Sequence, residues 1–365
     1  MIKILYFLNS TVRGGVEEHV LSILEKLDRA KFEPVMVCPQ PLIDLIQVEL
    51  KAYKVESYPI AIHRWSDIAQ IRAFIRVLRE EKPDIVHSHL FKATMFAALI
   101  VKWFGPAKIR VIDTAHIREA WRKGVKRAFF IDRFIYRRVD HIIAVSHAIK
   151  KYLIEEKKLP ADKITVVHNG VHLEKFQPSS SRSQNGQLTI GVIGRLEEQK
   201  GHRYFLEAVH LLRDKAEGVN FIIIGEGSLR GNLEDMSRQL GIENKVKFLG
   251  FQKDMRNAYD SLDIIVLPSL FEGLPLVALE ASAMGKAAIV TNVDGSPEVV
   301  VHNETGIVVP AQNSVALKEA MERLINNRKE IEIFGAKARA WVAREFDVKK
   351  QVKETEEIYL SGVDK

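Results

Sequence analysis

Short, mainly apolar runs alternate along the chain with longer segments in which apolar residues recur every three or four positions. The runs predict buried strands, and the recurring segments predict amphipathic helices, such as 16–27, 65–81 and 202–215. The predicted strands lie at residues 2–8, 34–38, 85–87, 109–114, 141–145, 164–167, 188–193, 220–224, 246–249, 264–267, 287–291 and 307–309. Strands that alternate with helices in this way are typical of an α/β protein with parallel sheets covered by helices.

One polar segment divides this pattern into two parts. Residues 178–186 are rich in serine, begin with Pro178 and end with Gly186. This composition is typical of a linker. The length of 365 residues also favours two domains. We therefore predict two doubly wound, Rossmann-like domains, residues 1–175 and 187–346, followed by a helical tail at about 329–360.

Composition restricts the class of protein. Hydrophobic residues make up 47% and charged residues 28%, as in ordinary globular proteins. The single cysteine, Cys38, excludes an internal disulfide and favours a cytoplasmic location. The first residues are expected to form a strand and not a signal peptide, and the longest apolar run, near 93–101, is shorter than the ~20 residues of a membrane span.

Positive charge is concentrated in the first part of the chain. Residues 1–170 carry 29 Lys and Arg against 19 Asp and Glu, whereas the rest has 25 against 28. Segment 118–138 combines eight basic residues with Trp121, Phe129, Phe130, Phe134 and Tyr136. It predicts a helix that lies on an anionic membrane surface, although the aromatic side chains could instead pack on the sheet. No nucleic-acid-binding module is recognisable, so no nucleic-acid partner is expected.

The stretch 269–280 combines features of a ligand site. Strand 264–267 leads into a loop with Glu272 and Gly273, and a helix is predicted from about 275 to 284. In α/β proteins, phosphate sites form where a strand leads through a glycine-containing loop to the N-terminus of a helix. Glu280 lies among apolar helix residues, so its carboxylate is expected to need a partner.

Two further loops of the second domain follow strands at the same predicted sheet edge. One carries Arg195 and Lys200, and the other carries Gly225 and Gly227. The forked guanidinium of Arg195 and the ammonium of Lys200 lie beside glycine turns, and such groups are well suited to bind a diphosphate. The glycine spacing is neither that of a dinucleotide-binding fold nor that of a P-loop, so no such cofactor is expected.

Taken in their order along the chain, these motifs resemble those of the retaining GT-B glycosyltransferases with a Glu-x(7)-Glu motif. These enzymes are bacterial glycosyltransferases of the group 1 type. The matching residues are Gly14-Gly15-Val16-Glu17, His116, Ala144-Val145-Ser146, Asn169-Gly170-Val171 with Phe176, Gly194-Arg195-Leu196, Lys200-Gly201, Gly225-Glu226-Gly227, Phe248-Leu249-Gly250, Glu272 and Glu280. The resemblance implies a GT-B architecture, with two Rossmann-like domains facing across a cleft and a C-terminal helix, about 347–365, packed back on the first domain.

The resemblance also implies roles for individual residues. Arg195 and Lys200 would hold the donor diphosphate, Glu272 the donor sugar and Glu280 the ribose, while His116 would reach the sugar from the first domain. His116, Arg195, Lys200 and Glu272 form the expected catalytic set. The other expected donor contacts are Gly15, Gly194, Gly225, Gly227, Leu249, Gly250, Phe271, Gly273 and Leu274.

The implied activity is hexosyl transfer with retention of configuration. We expect a UDP-sugar donor and a cell-envelope glycolipid or lipopolysaccharide-type acceptor, at the inner face of the membrane. Neither cofactor nor metal is expected, because the chain has no Asp-x-Asp sequence and because no third metal ligand can be placed beside His87 and His89. The alternatives are a sugar-nucleotide epimerase on the same fold and a transferase that acts on a soluble acceptor.

Overall fold

The computed structural model describes residues 1–106, 108–118, 126–178, 187–213 and 215–362. The chain divides into two compact units. The first unit combines Met1–Asn169 with Val348–Lys365, and the second unit is Gly170–Asp347. All of the predicted linker, 178–186, except Pro178 lies outside the described residues, as do Trp121, Arg122 and Lys123 of the basic segment.

The first unit contains a seven-stranded parallel sheet in the order β3-β2-β1-β4-β5-β6-β7. Its elements are β1 (Ile2–Leu8), α1 (Gly15–Lys26), β2 (Phe32–Cys38), α2 (Gln40–Ala52), β3 (Glu56–Pro59), α3 (Ile68–Glu81), β4 (Ile85–His89), α4 (Phe91–Phe104), β5 (Arg110–Ala115), α5 (Lys126–Tyr136), β6 (His141–Ala144), α6 (His147–Glu155) and β7 (Ile164–Val166). The inner strands are buried along their length because helices cover both faces of the sheet.

The second unit contains a six-stranded parallel sheet in the order β10-β9-β8-β11-β12-β13. Its elements are β8 (Leu188–Ile193), α7 (His202–Leu212), β9 (Val219–Ile224), α8 (Arg230–Gln239), β10 (Val246–Gly250), α9 (Met255–Asp260), β11 (Ile264–Leu267), α10 (Leu276–Ala283), β12 (Ala287–Thr291), α11 (Ser296–Val299), β13 (Gly306–Val309), α12 (Ser314–Asn326) and α13 (Arg328–Glu345). The strand order reverses between β8 and β11, and ligands bind at such switch points in open α/β sheets.

The last helix, α14 (Val348–Leu360), belongs to the first unit. It packs against α1, and the Tyr359 hydroxyl lies 3.1 Å from the Tyr6 hydroxyl of β1. The tail predicted as helical at about 329–360 is interrupted, because Phe346 and Asp347 separate α13 from α14, and α14 lies where a C-terminal helix was expected at about 347–365. Phe346 is buried in a non-helical conformation, and its carbonyl accepts a hydrogen bond from the Val171 N–H.

Most predicted strands agree with the structure to within two residues, and 2–8, 188–193, 264–267 and 287–291 agree fully. The sequence analysis missed β3, a four-residue edge strand whose end residues, Glu56 and Pro59, are exposed. Such an edge strand lacks the apolar run that identifies the inner strands. Helix α10 ends as predicted, because Gly285 has φ +67°, the left-handed conformation of a helix stop.

Candidate functional site

Two loops meet at the switch point of the second sheet, one after β8 and the other after β11. The Leu270 N–H donates to the Gln199 carbonyl at 2.8 Å. The Gln199 side-chain amide donates to the Phe271 carbonyl at 3.1 Å. These bonds fix the loop with Lys200 against the loop with Glu272, and Gln199 was not among the predicted site residues.

An ion pair joins the two predicted catalytic residues of these loops. The Lys200 ammonium lies 2.6 Å from Glu272 Oε1, and the Ser269 hydroxyl donates to the same oxygen at 2.7 Å. The Glu272 carboxylate is buried, and no hydrogen bond within the described part of the chain falls on its other oxygen. Glu272 therefore has one oxygen held in place and a second oxygen that can accept from a ligand.

The loop after β12 supports the Glu272 backbone. The Glu272 N–H donates to Asp294 Oδ2 at 3.0 Å, and the Gly295 N–H donates to the Gly273 carbonyl at 3.1 Å. Asp294 has φ +40°, which is uncommon for a residue other than glycine. Sequence reasoning missed Asp294, and its place after a buried strand was the one signal that could have indicated it.

Glycines allow the loops after β8 and β9 to approach each other. Gly225 has φ +141°, and a β-carbon there would lie 2.0 Å from the Gly194 carbonyl oxygen. A β-carbon at Gly227 would lie 2.5 Å from the Leu196 carbonyl oxygen. No other residue type fits at Gly225 without moving the backbone, so the predicted contacts Gly194, Gly225 and Gly227 form one tightly packed edge.

The predicted diphosphate ligand Arg195 is exposed. Within the described residues, its guanidinium makes no ion pair or hydrogen bond. Lys200, in contrast, is half-buried and paired with Glu272. The two cations thus differ, since Arg195 is free to reorient whereas Lys200 is held beside a carboxylate.

The expected partner of Glu280 is a tyrosine. The Tyr259 hydroxyl donates to Glu280 Oε2 at 2.5 Å. Tyr259 is fully buried, and burial together with the Glu280 carboxylate raises its pKa well above 10.0. Glu280 itself is half-buried, so its carboxylate keeps access to solvent. Sequence reasoning did not find Tyr259, which is 21 residues away on α9.

The remaining predicted contacts of this unit lie around the same edge. The Gly250 carbonyl accepts from the Gly225 N–H at 2.9 Å, and the Leu249 side chain is 44% exposed. Leu274 is buried, and Gly273 precedes it in the loop after β11. The second unit therefore brings together the predicted donor-binding residues that it contains.

Two predicted site residues belong to the first unit. Gly15 is the first residue of α1, and the Gly14 N–H donates to Glu17 Oε2 at 2.9 Å, which caps the helix. His116 follows β5 and is half-buried, with Nε2 2.9 Å from Nδ1 of His89. Burial lowers the pKa of His116 well below 6.5, and the neighbouring imidazoles also lower it.

His87 forms hydrogen bonds inside the first unit. Its Nδ1 lies 2.7 Å from the Tyr359 hydroxyl, and its Nε2 lies 2.7 Å from the Thr114 hydroxyl. Both ring nitrogens are therefore used in hydrogen bonds within the first unit. His89 differs, because it contacts His116 and has a second nitrogen with no such partner.

Comparisons with known proteins agree with this geometry. Residues 13–175 match the family described as Glycosyltransferase Family 4, and residues 174–341 match Glycosyl transferases group 1. The UDP-Gal:alpha-D-GlcNAc-diphosphoundecaprenol alpha-1,3-galactosyltransferase of Escherichia coli is 26% identical over 382 residues, covering 99% of this chain and 97% of that protein. The capsular polysaccharide biosynthesis glycosyltransferase CapM of Staphylococcus aureus is 27% identical over 330 residues, with coverages of 85% and 87%.

The fold has a close structural match. The crystal structure of Anabaena HepE in complex with UDP and glucose superposes with a TM-score of 0.87 at 20% identity, covering 99% of this chain and all of that chain. The two units therefore form a two-domain α/β protein of the GT-B fold, as predicted. The two family matches, which together span residues 13–341, make the chain a glycosyltransferase.

Proposed function

We propose that this glycosyltransferase moves a sugar from a UDP-sugar to a lipid-linked saccharide of the cell envelope, with retention of configuration and without a metal ion. The observation that carries the proposal is the Lys200–Glu272 pair at the switch point of the second sheet. The E. coli relative is a UDP-Gal:alpha-D-GlcNAc-diphosphoundecaprenol galactosyltransferase, which supports this donor and this acceptor class.

Lys200 and Arg195 supply the positive charge for the leaving group. The bond from the anomeric carbon to the diphosphate oxygen breaks, the acceptor oxygen bonds to that carbon, and the acceptor proton leaves with UDP. An ammonium has three donors, so the contact of Lys200 with Glu272 leaves donors for the diphosphate. A cation held in place before the reaction stabilises developing negative charge most effectively. This charge replaces the divalent metal that other transferases use.

The two glutamates bind different parts of the donor. The second oxygen of Glu272 accepts from hydroxyls of the sugar, because Lys200 and Ser269 hold the first oxygen. Glu280 accepts from the ribose hydroxyls, with Tyr259 fixing the orientation of its carboxylate. Leu249 and Gly250 border the base.

His116 contributes a neutral imidazole. Since burial keeps its pKa well below 6.5, the ring is uncharged at pH 7. A neutral ring offers the donor sugar one hydrogen-bond donor or acceptor and does not compete with Lys200 and Arg195 for the diphosphate.

The first unit presents an aromatic and basic surface that supports a membrane location. Phe130 is 72% exposed, Phe134 44% and Trp103 55%. The Arg138 guanidinium lies over the rings of Phe134 at 3.9 Å and Trp103 at 5.9 Å. Exposed aromatic rings beside cations suit the interface of an anionic membrane. We call Trp103, Phe130, Arg133, Phe134 and Arg138 the aromatic–basic surface.

The alternative for α5, that its aromatic residues pack on the sheet, holds for only part of the helix. Ile135 and Tyr136 are buried, whereas Phe130 and Phe134 face solvent. Within the described residues no helix is long and apolar enough to cross a membrane. Association through a surface is therefore the mode that we propose.

Metal-stripped full-length protein, incubated with UDP-, GDP- and ADP-sugars and a polyprenyl-diphosphate-linked saccharide, tests the proposal. Proton NMR of the product gives the anomeric configuration. We expect consumption of the UDP-sugar and a product with the donor's configuration. An inverted product, or activity that EDTA abolishes and Mn²⁺ restores, contradicts the proposal.

The same assay separates the two alternatives. An epimerase converts the UDP-sugar in the absence of any acceptor, which the proposed transferase does not. A transferase for soluble acceptors uses a free oligosaccharide as readily as the lipid-linked one.

A further inference from the structure

Three imidazoles meet in the first unit. His19 comes from α1, His89 ends β4, and His116 follows β5. One ring nitrogen of each lies within 4.8 Å of the ligand nitrogens of the other two. The ring centroids are 4.7 Å apart for His19 and His116, and 5.2 Å apart for His89 and His116. The sequence analysis excluded a metal because a third ligand beside His89 could not be placed, and the fold provides two more histidines there.

Two nitrogens of this trio have no hydrogen-bond partner. His19 and His89 are 3% and 0% exposed, and Nε2 of each is buried without a partner among the described residues. Buried polar atoms are normally satisfied, so two such atoms in one cluster need an explanation. A cation bound by His19 Nε2 would satisfy that nitrogen, because a neutral imidazole nitrogen without a proton is a ligand. His89 Nδ1 and His116 Nε2, which lie 2.9 Å apart, would supply the other two ligand atoms, so His89 Nε2 would keep its proton and face away from the ion.

The other nitrogen of His19 lies between two side-chain amides. Its Nδ1 lies 2.9 Å from Asn169 Oδ1, which accepts, and 3.0 Å from Gln351 Nε2, which donates, so the two contacts require opposite tautomers. With the Gln351 amide turned so that its oxygen faces the ring, Nδ1 carries the proton and donates it to Asn169. The Nε2 lone pair is then free for a metal, the arrangement found in metal-ligating histidines.

We propose that His19, His89 and His116 bind a first-row transition-metal ion, with zinc as the expected species. Imidazoles suit zinc, and three protein ligands leave a fourth position open. Zn–N bonds of about 2.0–2.1 Å place tetrahedral nitrogens roughly 3.3 Å apart, which is close to the 2.9 Å between His89 Nδ1 and His116 Nε2. Of the three histidines, His116 also lines a cavity of about 150 Å³.

One consequence rests on the proposed function. If His116 contacts the donor sugar during transfer, an ion bound to its ring removes that contact. Zinc then inhibits an enzyme that needs no metal for the reaction itself.

The test is a zinc titration of metal-stripped full-length protein in competition with a chromophoric chelator, with Co²⁺ absorption reporting nitrogen ligation. We expect one tight equivalent. His19→Gln and His89→Gln should weaken it by about 100-fold or more, and Asn169→Ala by about 10- to 100-fold. His63→Gln removes an exposed imidazole and should leave the affinity unchanged.

Crystals grown with zinc provide a second measurement that needs no variant. An anomalous peak between the three rings supports the proposal, and it decides the matter if the variants do not fold. A peak elsewhere, or equal affinity of wild type and His89→Gln, overturns it. Zinc bound at the trio with unchanged glycosyl transfer would instead contradict the role of His116 at the donor sugar, so the two proposals fail separately.

Discussion

Lys200 and Glu272 are joined by a 2.6 Å ion pair although 72 residues separate them in the sequence. The pair links the loops after β8 and β11 at the point where the order of the strands reverses. Because both side chains are partly or fully shielded from water, the contact is stronger than an ion pair on the surface. The ammonium that we propose for the leaving group is thus held in place before a substrate arrives.

Removing either member of this pair should lower turnover. We expect Lys200→Met and Glu272→Gln each to reduce kcat by around 10²-fold or more, since each removes a preorganised contact. Lys200→Met also leaves the buried Glu272 carboxylate without its cation, so the melting temperature should fall.

The double variant Lys200→Met/Glu272→Gln separates these two effects. Its melting temperature should return toward the wild-type value, whereas its turnover should stay low. Lys215→Ala is the matched control, because Lys215 forms a 2.7 Å pair with Glu322 on the surface of the same unit. Turnover that recovers with stability would show that the pair is structural only.

Glu280 and Tyr259 should affect binding of the nucleotide more than the chemical step. Hydrogen bonds to charged groups contribute about 1.5–3 kcal/mol, so Glu280→Gln should weaken UDP binding by about 10-fold or more. Tyr259→Phe should weaken it less, because the carboxylate remains. Calorimetry with UDP measures both effects. With a UDP analogue that lacks both ribose hydroxyls, wild type and Glu280→Gln should bind equally, and a persisting difference would reject the assignment.

The second sheet was predictable because its strands are apolar runs, and glycines follow β8 and β9 directly. In the loop after β11, Gly273 stands next to Glu272 and indicated the site. The partners of the site residues were not predictable. Tyr259 and Asp294 reach Glu280 and Glu272 from other loops and helices, and a single sequence contains no information about such pairs.

The histidine trio shows the same limit. His19 lies on an amphipathic helix, where its position suggests an ordinary packing residue. Only the strand order places β1, β4 and β5 side by side, with α1 above them, and so brings His19 to His89 and His116. Short elements also escaped prediction, because β3 has no apolar run.

Gly225 and Gly231 should respond oppositely to alanine. A β-carbon at Gly225 would collide with the Gly194 carbonyl, and the φ of +141° strains any other residue. Gly225→Ala should lower the melting temperature and weaken UDP binding. Gly231 lies in α8 with nothing within 4 Å of an added β-carbon, so Gly231→Ala should stabilise by about 0.5–1 kcal/mol. Equal effects in thermal unfolding would contradict the close approach of the two loops.

His202 should make stability depend on pH. Burial lowers the pKa of His202, and the Lys200 ammonium also lowers it, so that it falls from 6.5 to about 4. Between these values the unfolded chain binds a proton that the folded chain excludes, so stability rises with pH there. The contribution is complete above pH 6.5 and is lost as the pH falls toward 4, with a slope of up to about 1.4 kcal/mol per pH unit. Urea unfolding at pH 7 and pH 5 should show a smaller difference for His202→Gln than for wild type. The exposed His63→Gln should leave the difference unchanged.

The aromatic–basic surface should bind anionic vesicles. In sedimentation with liposomes, we expect binding to anionic but not zwitterionic lipid, weakened by salt. Each cation near the surface adds about 1 kcal/mol, so reversing Arg133 and Arg138 together with the neighbouring exposed Arg137, in the variant Arg133→Glu/Arg137→Glu/Arg138→Glu, should abolish binding. Phe130→Ser/Phe134→Ser should weaken it without altering the salt dependence, because it removes apolar area and no charge.

The control for net charge reverses three exposed cations of the second unit, Arg238, Lys329 and Lys337, to glutamate. This variant changes the total charge as much as the arginine variant but leaves the aromatic–basic surface intact. If the surface determines binding, the control sediments like wild type. If both triple variants lose binding equally, only the overall charge matters. If wild type ignores anionic and zwitterionic vesicles alike, the acceptor is met in solution and the membrane proposal is wrong.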